Sequence, residues 1–112
     1  MAEIRNVEME IFEIISNGGN AKSTAYEALA KAHEGKFDEA EEMIKTAHDE
    51  LNKAHKTQTS LIQAEINGEE FEKSLLMIHA QDHLMTSISE ISLIEQMIPM
   101  LKRIHALESQ SN

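Results

Sequence analysis

Apolar residues recur at steps of three and four along most of the chain, which is the period of an α-helix. In the first stretch the recurring apolar positions are Ile4, Val7, Ile11, Ile14 and Ile15. This pattern predicts a first helix over residues 2–32. The sequence Asn-Gly-Gly-Asn at residues 17–20 predicts a break within it, because paired glycines and asparagines favour the end or a kink of a helix.

A second helix is predicted over residues 38–66. Gly35 marks the turn before it, and Asn67-Gly68 marks the break after it. Asp38 is the predicted N-cap residue, because Glu41 follows three positions later, as in a capping box. The second helix is therefore expected to have a side-chain cap at its start and a glycine at its end.

A third helix is predicted over residues 70–107, followed by a frayed polar tail at 108–112. Pro99 lies inside this helix and is expected to bend it or to loosen its last turns, because proline removes one backbone donor. Three long helices joined by short turns predict an all-α protein. The expected architecture is a three-helix, up-down-up antiparallel bundle that forms a single domain over residues 1–112.

One stripe of the third helix is neither fully apolar nor fully polar. It comprises Leu75, Ile78, Asp82, Met85, Ser89, Ser92 and Gln96. A stripe of leucine, isoleucine and methionine interrupted by one aspartate predicts contact with something outside the monomer. Self-association along the third helix is the simplest candidate, because an apolar seam with one polar layer can set register and oligomeric state.

Composition narrows the range of partners. The chain has 112 residues, a formal net charge of −10 and no cysteine. The acidic balance argues against nucleic acid and anionic membranes as partners, and the lack of cysteine excludes disulfides and thiolate chemistry. No apolar run approaches the ~20 residues of a membrane span, and acidic residues near the N-terminus argue against a secretory signal. A cytoplasmic protein without membrane insertion is expected.

Residues 79–83 carry the strongest functional signal. His79, Asp82 and His83 share one helix face within a run of apolar residues. Ionisable groups cost free energy to bury unless they are paired or used, and such groups cluster at functional sites. A lone histidine in this position would more often be structural, but three ionisable residues within five positions favour a working site.

Two kinds of chemistry fit this trio. A zinc metalloprotease needs a glutamate directly after the first histidine, and that position is Ala80, so a catalytic zinc site is not expected. If identical helices meet, copies of Asp82 could converge on a hard cation such as Mg²⁺. Alternatively, neutral His79 could attack a phosphoryl group delivered by another protein, since the chain has no phosphate-binding loop. The hydrogen-bond partners available by type for that group are Gln81, His83, Thr86 and Ser87.

The run His-Ala-Gln-Asp-His-Leu-Met-Thr-Ser at residues 79–87 resembles a known active-site signature. It is that of enzyme IIA of the lactose/cellobiose (chitobiose) type, from the bacterial phosphoenolpyruvate-dependent sugar phosphotransferase system. Residues 19–29 resemble the first helix of that family, and residues 51–55 and 58–62 resemble the second. The resemblance therefore covers most of the chain and is most specific around His79.

The resemblance implies a homotrimer in which three subunits form a nine-helix bundle. It implies that His79 accepts a phosphoryl group on Nε2 from the phosphocarrier HPr and passes it to a cysteine of enzyme IIB. The process served would be uptake of a β-linked disaccharide of the lactose, cellobiose or chitobiose class. The resemblance also implies that Asp82 of the three chains meets on the threefold axis and shares a divalent cation, expected to be Mg²⁺. His83 and Gln81 belong to the signature and are expected to stabilise the phosphoryl group.

Two alternatives remain open at this point. Met77 and Met85 flank the site and are expected to contact partner proteins, because methionine is adaptable, although both could equally be ordinary core residues. The competing interpretation of the whole chain is a non-catalytic helical adaptor or oligomerisation bundle. In that interpretation His79 and Asp82 are structural polar residues.

Overall fold

The computed structural model describes residues 3–110 and contains three helices and two short strands. Strand β1 (Ile4–Arg5) precedes helix α1 (Glu8–His33), which is followed by α2 (Phe37–Ile66), strand β2 (Glu70–Phe71) and α3 (Leu75–Gln110). The two strands pair in parallel, with Ile4 opposite Glu70. The predicted three-helix, up-down-up bundle is confirmed. Helices α1 and α3 therefore run in the same direction, and α2 runs back between them in sequence.

The predicted break in the first helix is wrong. Helix α1 continues through residues 17–20 without interruption. Each glycine in a helix interior costs about 1 kcal/mol relative to alanine, but packing on both sides of the pair offsets that cost. Gly18 is buried, and a Cβ on it would lie 4.0 Å from Leu84 Cδ1 of α3. The glycine pair thus packs against α3 inside a continuous helix instead of ending it.

Several predicted boundaries also move. Helix α1 begins at Glu8 because the residues before it form a strand; residues 1–2 lie outside the described part. The predicted cap at Asp38 is wrong, since Lys36 occupies the cap position of α2 and no side chain bonds there. Helix α3 begins at Leu75, where the Ser74 hydroxyl accepts a hydrogen bond from the Met77 N–H at 3.1 Å.

The far end of α3 is longer than predicted. The helix continues through Pro99 and reaches Gln110, so its last turns extend into the predicted tail, of which residues 111–112 lie outside the described part. The predicted end of α2 at Ile66 is confirmed. No helix within residues 3–110 is both long enough and apolar enough to cross a membrane.

Small side chains dominate the contact between α1 and α2. The buried residues along these two helices include a series of alanines, namely Ala21, Ala25, Ala28, Ala32, Ala40, Ala47, Ala54 and Ala64. Larger side chains come from α3, which buries Leu84, Ile91, Ile94 and Ile98. Alanines allow two helix backbones to approach closely, and the branched residues of α3 fill the remaining core.

The mixed stripe predicted on α3 lies outside this core. All seven of its residues are exposed, and Leu75 is 82% exposed. Exposed large apolar residues continue down the same helix as far as its last turns: Leu93, Met97, Met100, Ile104 and Leu107. A monomer of this length rarely leaves so long an apolar surface uncovered.

The C-terminal part of α3 packs against the turn between α1 and α2. Gly35 has a positive φ of 81°, and the His105 imidazole lies directly against it. The same ring makes an edge contact with Phe37, with a centroid distance of 5.6 Å. Further along, His48 of α2 pairs with Glu95 of α3. These polar contacts hold the distal half of α3 against the other two helices.

Replacement of Gly35 by alanine should destabilise the fold more than the same change at Gly68. Both glycines have positive φ, so alanine is strained by about 1 kcal/mol at each. A Cβ at Gly35 would also lie 3.0 Å from His105 Cε1, whereas no described atom lies within 4 Å of one at Gly68. Chemical denaturation should give a loss of about 1 kcal/mol for Gly68→Ala and about 2 kcal/mol for Gly35→Ala. Equal losses would contradict the contact with His105.

Candidate functional site

His79 and His83 lie one turn apart on α3, near its N-terminal end. Their ring centroids are 6.1 Å apart, and the ring planes are inclined by 58°. His79 is exposed and His83 is half-buried. Among residues 3–110, no side chain makes a hydrogen bond to the His79 imidazole. The two histidines predicted from sequence therefore come together, with the first open to solvent and the second held in the protein surface.

Two hydroxyl groups of the next turn contact the carbonyl oxygen of His83. Ser87 Oγ lies 3.2 Å from His83 Nδ1 and donates a hydrogen bond to the His83 carbonyl at 2.7 Å. Thr86 Oγ1 donates to the same carbonyl at 3.1 Å. Ser87 is completely buried, so it does not reach a group on His79, contrary to its selection by residue type. Its contacts instead hold the ring of His83.

Helix α1 passes close to the His83 ring. A Cβ on Gly19 would lie 3.7 Å from His83 Nε2, an ordinary contact distance, so this nitrogen lies beside the backbone of α1. The glycine pair that suggested a break in the helix therefore faces α3 at the site. The sequence did not indicate this contact, because nothing in the local sequence shows which residue of another helix lies beside a glycine.

Gln81 lies on the other side of α3. Positions 79 and 81 differ by about 200° around a helix, so Gln81 turns toward α2. Its side-chain oxygen accepts a hydrogen bond from Nε2 of Gln58, a buried residue whose amide also lies 4.0 Å from Met85 Sδ. Within one chain, the structure does not bring Gln81 together with His79. Gln58 was missed because nothing in its local sequence indicates a polar contact with α3.

A charged cluster links α1 to α3 beyond His83. Tyr26 Oη donates a hydrogen bond to Glu90 Oε1 at 2.7 Å, and Lys22 Nζ lies 3.0 Å from Glu90 Oε2. The hydrogen bonds from Tyr26 and Lys22, together with the positive charge of Lys22, hold the pKa of Glu90 below its usual value. Conversely, the bond to this carboxylate raises the pKa of Tyr26. These contacts keep a negative charge close to the histidines.

Apolar side chains next to the histidines differ from those predicted. Met77 is 6% exposed and belongs to the core, so its predicted partner contact is wrong. Met85 is 53% exposed and remains available. Phe12 of α1 and Leu76 of α3 are both more than half exposed and line a cleft of about 750 Å³. Leu76 lies one turn before His79, so this cleft adjoins the site.

Asp82 has no complete set of metal ligands around it within one chain. Its side chain is exposed on the uncovered stripe of α3. Within residues 3–110, no group of three or more histidine, cysteine, aspartate and glutamate residues is placed to hold a metal ion. A cation at Asp82 would therefore need ligands from further copies of the chain.

Comparisons with known proteins show which family this chain is similar to. The family described as "PTS system, Lactose/Cellobiose specific IIA subunit" matches residues 9–102. The lichenan-specific phosphotransferase enzyme IIA component of Bacillus subtilis (strain 168) is 46% identical over 101 residues, covering 88% of this chain and 92% of that protein. The crystal structure of the PTS cellobiose-specific enzyme IIA from Bacillus anthracis matches with a TM-score of 0.87 and 44% identity, covering 93% of this chain and 95% of that one.

A further solved structure includes a partner. It is the solution structure of the IIA(Chitobiose)–HPr complex from the N,N'-diacetylchitobiose branch of the Escherichia coli phosphotransferase system. The match has a TM-score of 0.76 and 35% identity, and covers 90% of this chain and 98% of that one. The fold is therefore shared across relatives named for different sugars.

The chain belongs to the lactose/cellobiose-specific IIA subunit family of the phosphotransferase system. The predicted family is therefore confirmed, and IIA components of this system are phosphocarrier subunits. The adaptor interpretation, in which His79 and Asp82 are structural polar residues, loses its support. The individual roles of His79, His83, Gln81 and Asp82 stay predictions.

Tyr26→Phe should raise the pKa of the Glu90 carboxyl toward its ordinary value of 4.5, because the strongest bond to the carboxylate is lost. A lowered pKa in the folded state stabilises the fold above the pKa of the unfolded state, and this stabilisation is lost as the pH falls through the folded value. NMR titration of the Glu90 side chain measures the shift. A pKa of Glu90 that is unchanged in Tyr26→Phe would contradict the contact.

Proposed function

We propose that the protein carries a phosphoryl group on His79, taken from phospho-HPr and given to a cysteine of enzyme IIB. The observation that most supports this is that the His79 imidazole is exposed. Its ring centroid lies 6.1 Å from that of His83, a second histidine that is half-buried. An unbonded neutral imidazole is a good nucleophile near neutral pH. In the family to which the chain belongs, phospho-HPr would be the phosphoryl donor and enzyme IIB the acceptor that such a residue needs.

Two substitutions at phosphorus make up the proposed cycle. In the first, the lone pair of His79 Nε2 attacks the phosphoryl group, and the bond to the HPr donor breaks as the N–P bond forms. In the second, the thiolate of the IIB cysteine attacks the same phosphorus, and His79 leaves with the electron pair of the N–P bond. Both steps need in-line placement and stabilisation of the charge on the oxygens more than covalent help from other residues.

His83 is the side chain best placed to act on the phosphoryl oxygens. It lies on the same helix face as His79, with the ring centroids 6.1 Å apart, and it is half-buried. Gln81 faces α2 of its own chain, so its proposed part in phosphate stabilisation requires Gln81 from a neighbouring copy. Exclusion of water by the docked partner then favours transfer over hydrolysis.

The partner surface is proposed to combine apolar contact with charge. Phe12, Leu76 and Met85 are exposed around the histidines and offer apolar contact area. The chain carries a formal net charge of −10, which favours encounter with a partner whose docking face is basic. The solved complex of the chitobiose IIA protein with HPr supports HPr as that partner. A IIB protein would use the same opening, because its cysteine must reach the same nitrogen.

The protein is proposed to act as a homotrimer in the cytoplasm. The uncovered stripe of α3 is long and mixed, and Asp82 is its single carboxylate, with exposed Leu75, Ile78 and Met85 around it. In a trimer, three copies of Asp82 would meet and repel one another unless they share a cation or a proton. A divalent ion such as Mg²⁺, which prefers oxygen ligands, would neutralise that charge and hold the helices in register.

The transport process is proposed to be uptake of a β-linked disaccharide. The relatives are named for lichenan, cellobiose and N,N'-diacetylchitobiose, as well as for lactose. No part of the proposed phosphoryl transfer contacts sugar, so the same histidine chemistry serves each of these systems.

His79→Ala should abolish phosphoryl transfer to IIB while the helical fold is retained. The expected loss is on the order of 1000-fold or more, because the nucleophile itself is removed. The assay follows label from phosphoenolpyruvate through enzyme I, HPr and this protein to IIB. His55→Ala, at an exposed histidine of α2, is the matched control and should transfer normally. Normal transfer by a folded His79→Ala variant would contradict the proposal.

Asp82→Leu should make assembly insensitive to metal chelators. The wild-type trimer should weaken when EDTA is added, because three carboxylates then repel one another, whereas leucine extends the apolar seam. Analytical ultracentrifugation with and without EDTA measures the change in association. Asp49→Leu, at an exposed position of α2, is the control and should respond as the wild type does. An identical response of wild type and Asp82→Leu would contradict the shared metal.

A further inference from the structure

Ser87 is an unusual residue for the interior of this bundle. Among residues 3–110 the fully or nearly buried polar side chains are Gln58 and Ser87, and Ser87 has no exposed surface. It lies on α3 between the core residues Leu84 and Ile91. Burying a hydroxyl costs free energy unless it is hydrogen-bonded. Both partners of this hydroxyl belong to one residue, His83.

The hydroxyl has one hydrogen, and the distances indicate where it lies. Ser87 Oγ is 2.7 Å from the His83 carbonyl oxygen, the i−4 carbonyl to which serines in helices commonly donate. Its distance to His83 Nδ1 is longer, 3.2 Å. The hydrogen therefore occupies the shorter contact, and toward the ring the hydroxyl can offer only a lone pair. A lone pair makes a hydrogen bond with Nδ1 only when Nδ1 carries a hydrogen.

We infer that Ser87 is a positioning residue that holds neutral His83 with its proton on Nδ1 and its lone pair on Nε2. The ring nitrogen on the side of Gly19 is then the unprotonated Nε2, and the same bond fixes the ring plane. Which nitrogen of a histidine carries the proton is set by the bond that the other edge makes. In this protein the bond is the one between Nδ1 and the buried Ser87 hydroxyl, one helical turn after His83.

This inference rests on the proposed function for its chemical consequence. His83 is expected to act on a phosphoryl group held by His79. In the neutral ring Nε2 only accepts hydrogen bonds, so His83 donates to a phosphoryl oxygen once Nε2 has taken up a proton from solvent, and the bond from Nδ1–H to Ser87 is kept in both states. A ring that already has the correct orientation loses no freedom during the transfer. The hydrogen bonds of Ser87 go to His83, so Ser87 acts on the phosphoryl group only through His83. Removing its hydroxyl should therefore slow the chemical step while leaving the docking of HPr unchanged.

Nitrogen NMR on protein with ¹⁵N-labelled histidine rings tests the proton position directly. Spectra are recorded well above the ordinary imidazole pKa of ~6.5, where the rings are neutral. Wild-type His83 should show a protonated Nδ1 and an unprotonated Nε2. Ser87→Ala should shift the population toward the Nε2-protonated form, and Ser87→Thr, which keeps a hydroxyl, should retain the wild-type form. A wild-type His83 protonated on Nε2 would overturn the inference without any variant.

Kinetics separate positioning from a purely structural role. Ser87→Ala should lower kcat for phosphoryl acceptance on the order of tenfold with KM for phospho-HPr unchanged, and Ser87→Thr should restore kcat. Loss of the Nδ1 proton with an unchanged kcat would overturn the positioning role. If the wild type accepts no phosphoryl group at all, the proposed function fails, while the NMR measurement still decides the position of the proton.

Discussion

The close approach of α3 to α1 is the constraint on which the site depends. Gly18 and Gly19 face α3, where a Cβ would lie 4.0 Å from Leu84 Cδ1 and 3.7 Å from His83 Nε2, which are ordinary contact distances. The glycines cost helix stability locally, and the cost is offset by packing against α3. Side chains larger than alanine there would crowd Leu84 and the Nε2 edge of His83.

Helix α3 combines three separate roles on one set of turns. One face supplies the branched residues of the core, a second presents His79 and His83, and a third leaves an apolar stripe uncovered. This explains why apolar residues lie on more than one face of the helix. Four of its polar residues have a proposed role: His79 carries the phosphoryl group, His83 stabilises it, Ser87 orients His83 and Asp82 sets assembly.

Sequence periodicity was sufficient to predict three helices and their order, because apolar residues that recur at steps of three and four over such lengths share one face of a helix. It failed at residues 17–20, where a local rule for glycine was overridden by tertiary packing. It also failed at Met77, since a methionine next to a site and a methionine in the core look alike in sequence. The histidine pair could be found because its members are four residues apart. The Tyr26–Glu90 bond joins residues 64 positions apart, so no local pattern indicates it.

The most direct test of phosphoryl carriage by His79 is to locate the phosphoryl group itself. The wild-type protein is phosphorylated by phospho-HPr, kept at alkaline pH to preserve phosphohistidine, cleaved with a protease and fragmented in a mass spectrometer. The proposed mechanism predicts one phosphoryl group per chain, on His79, and none on His83. A phosphoryl group on His83 or on any other residue, or none on a folded protein with active donors, would contradict it.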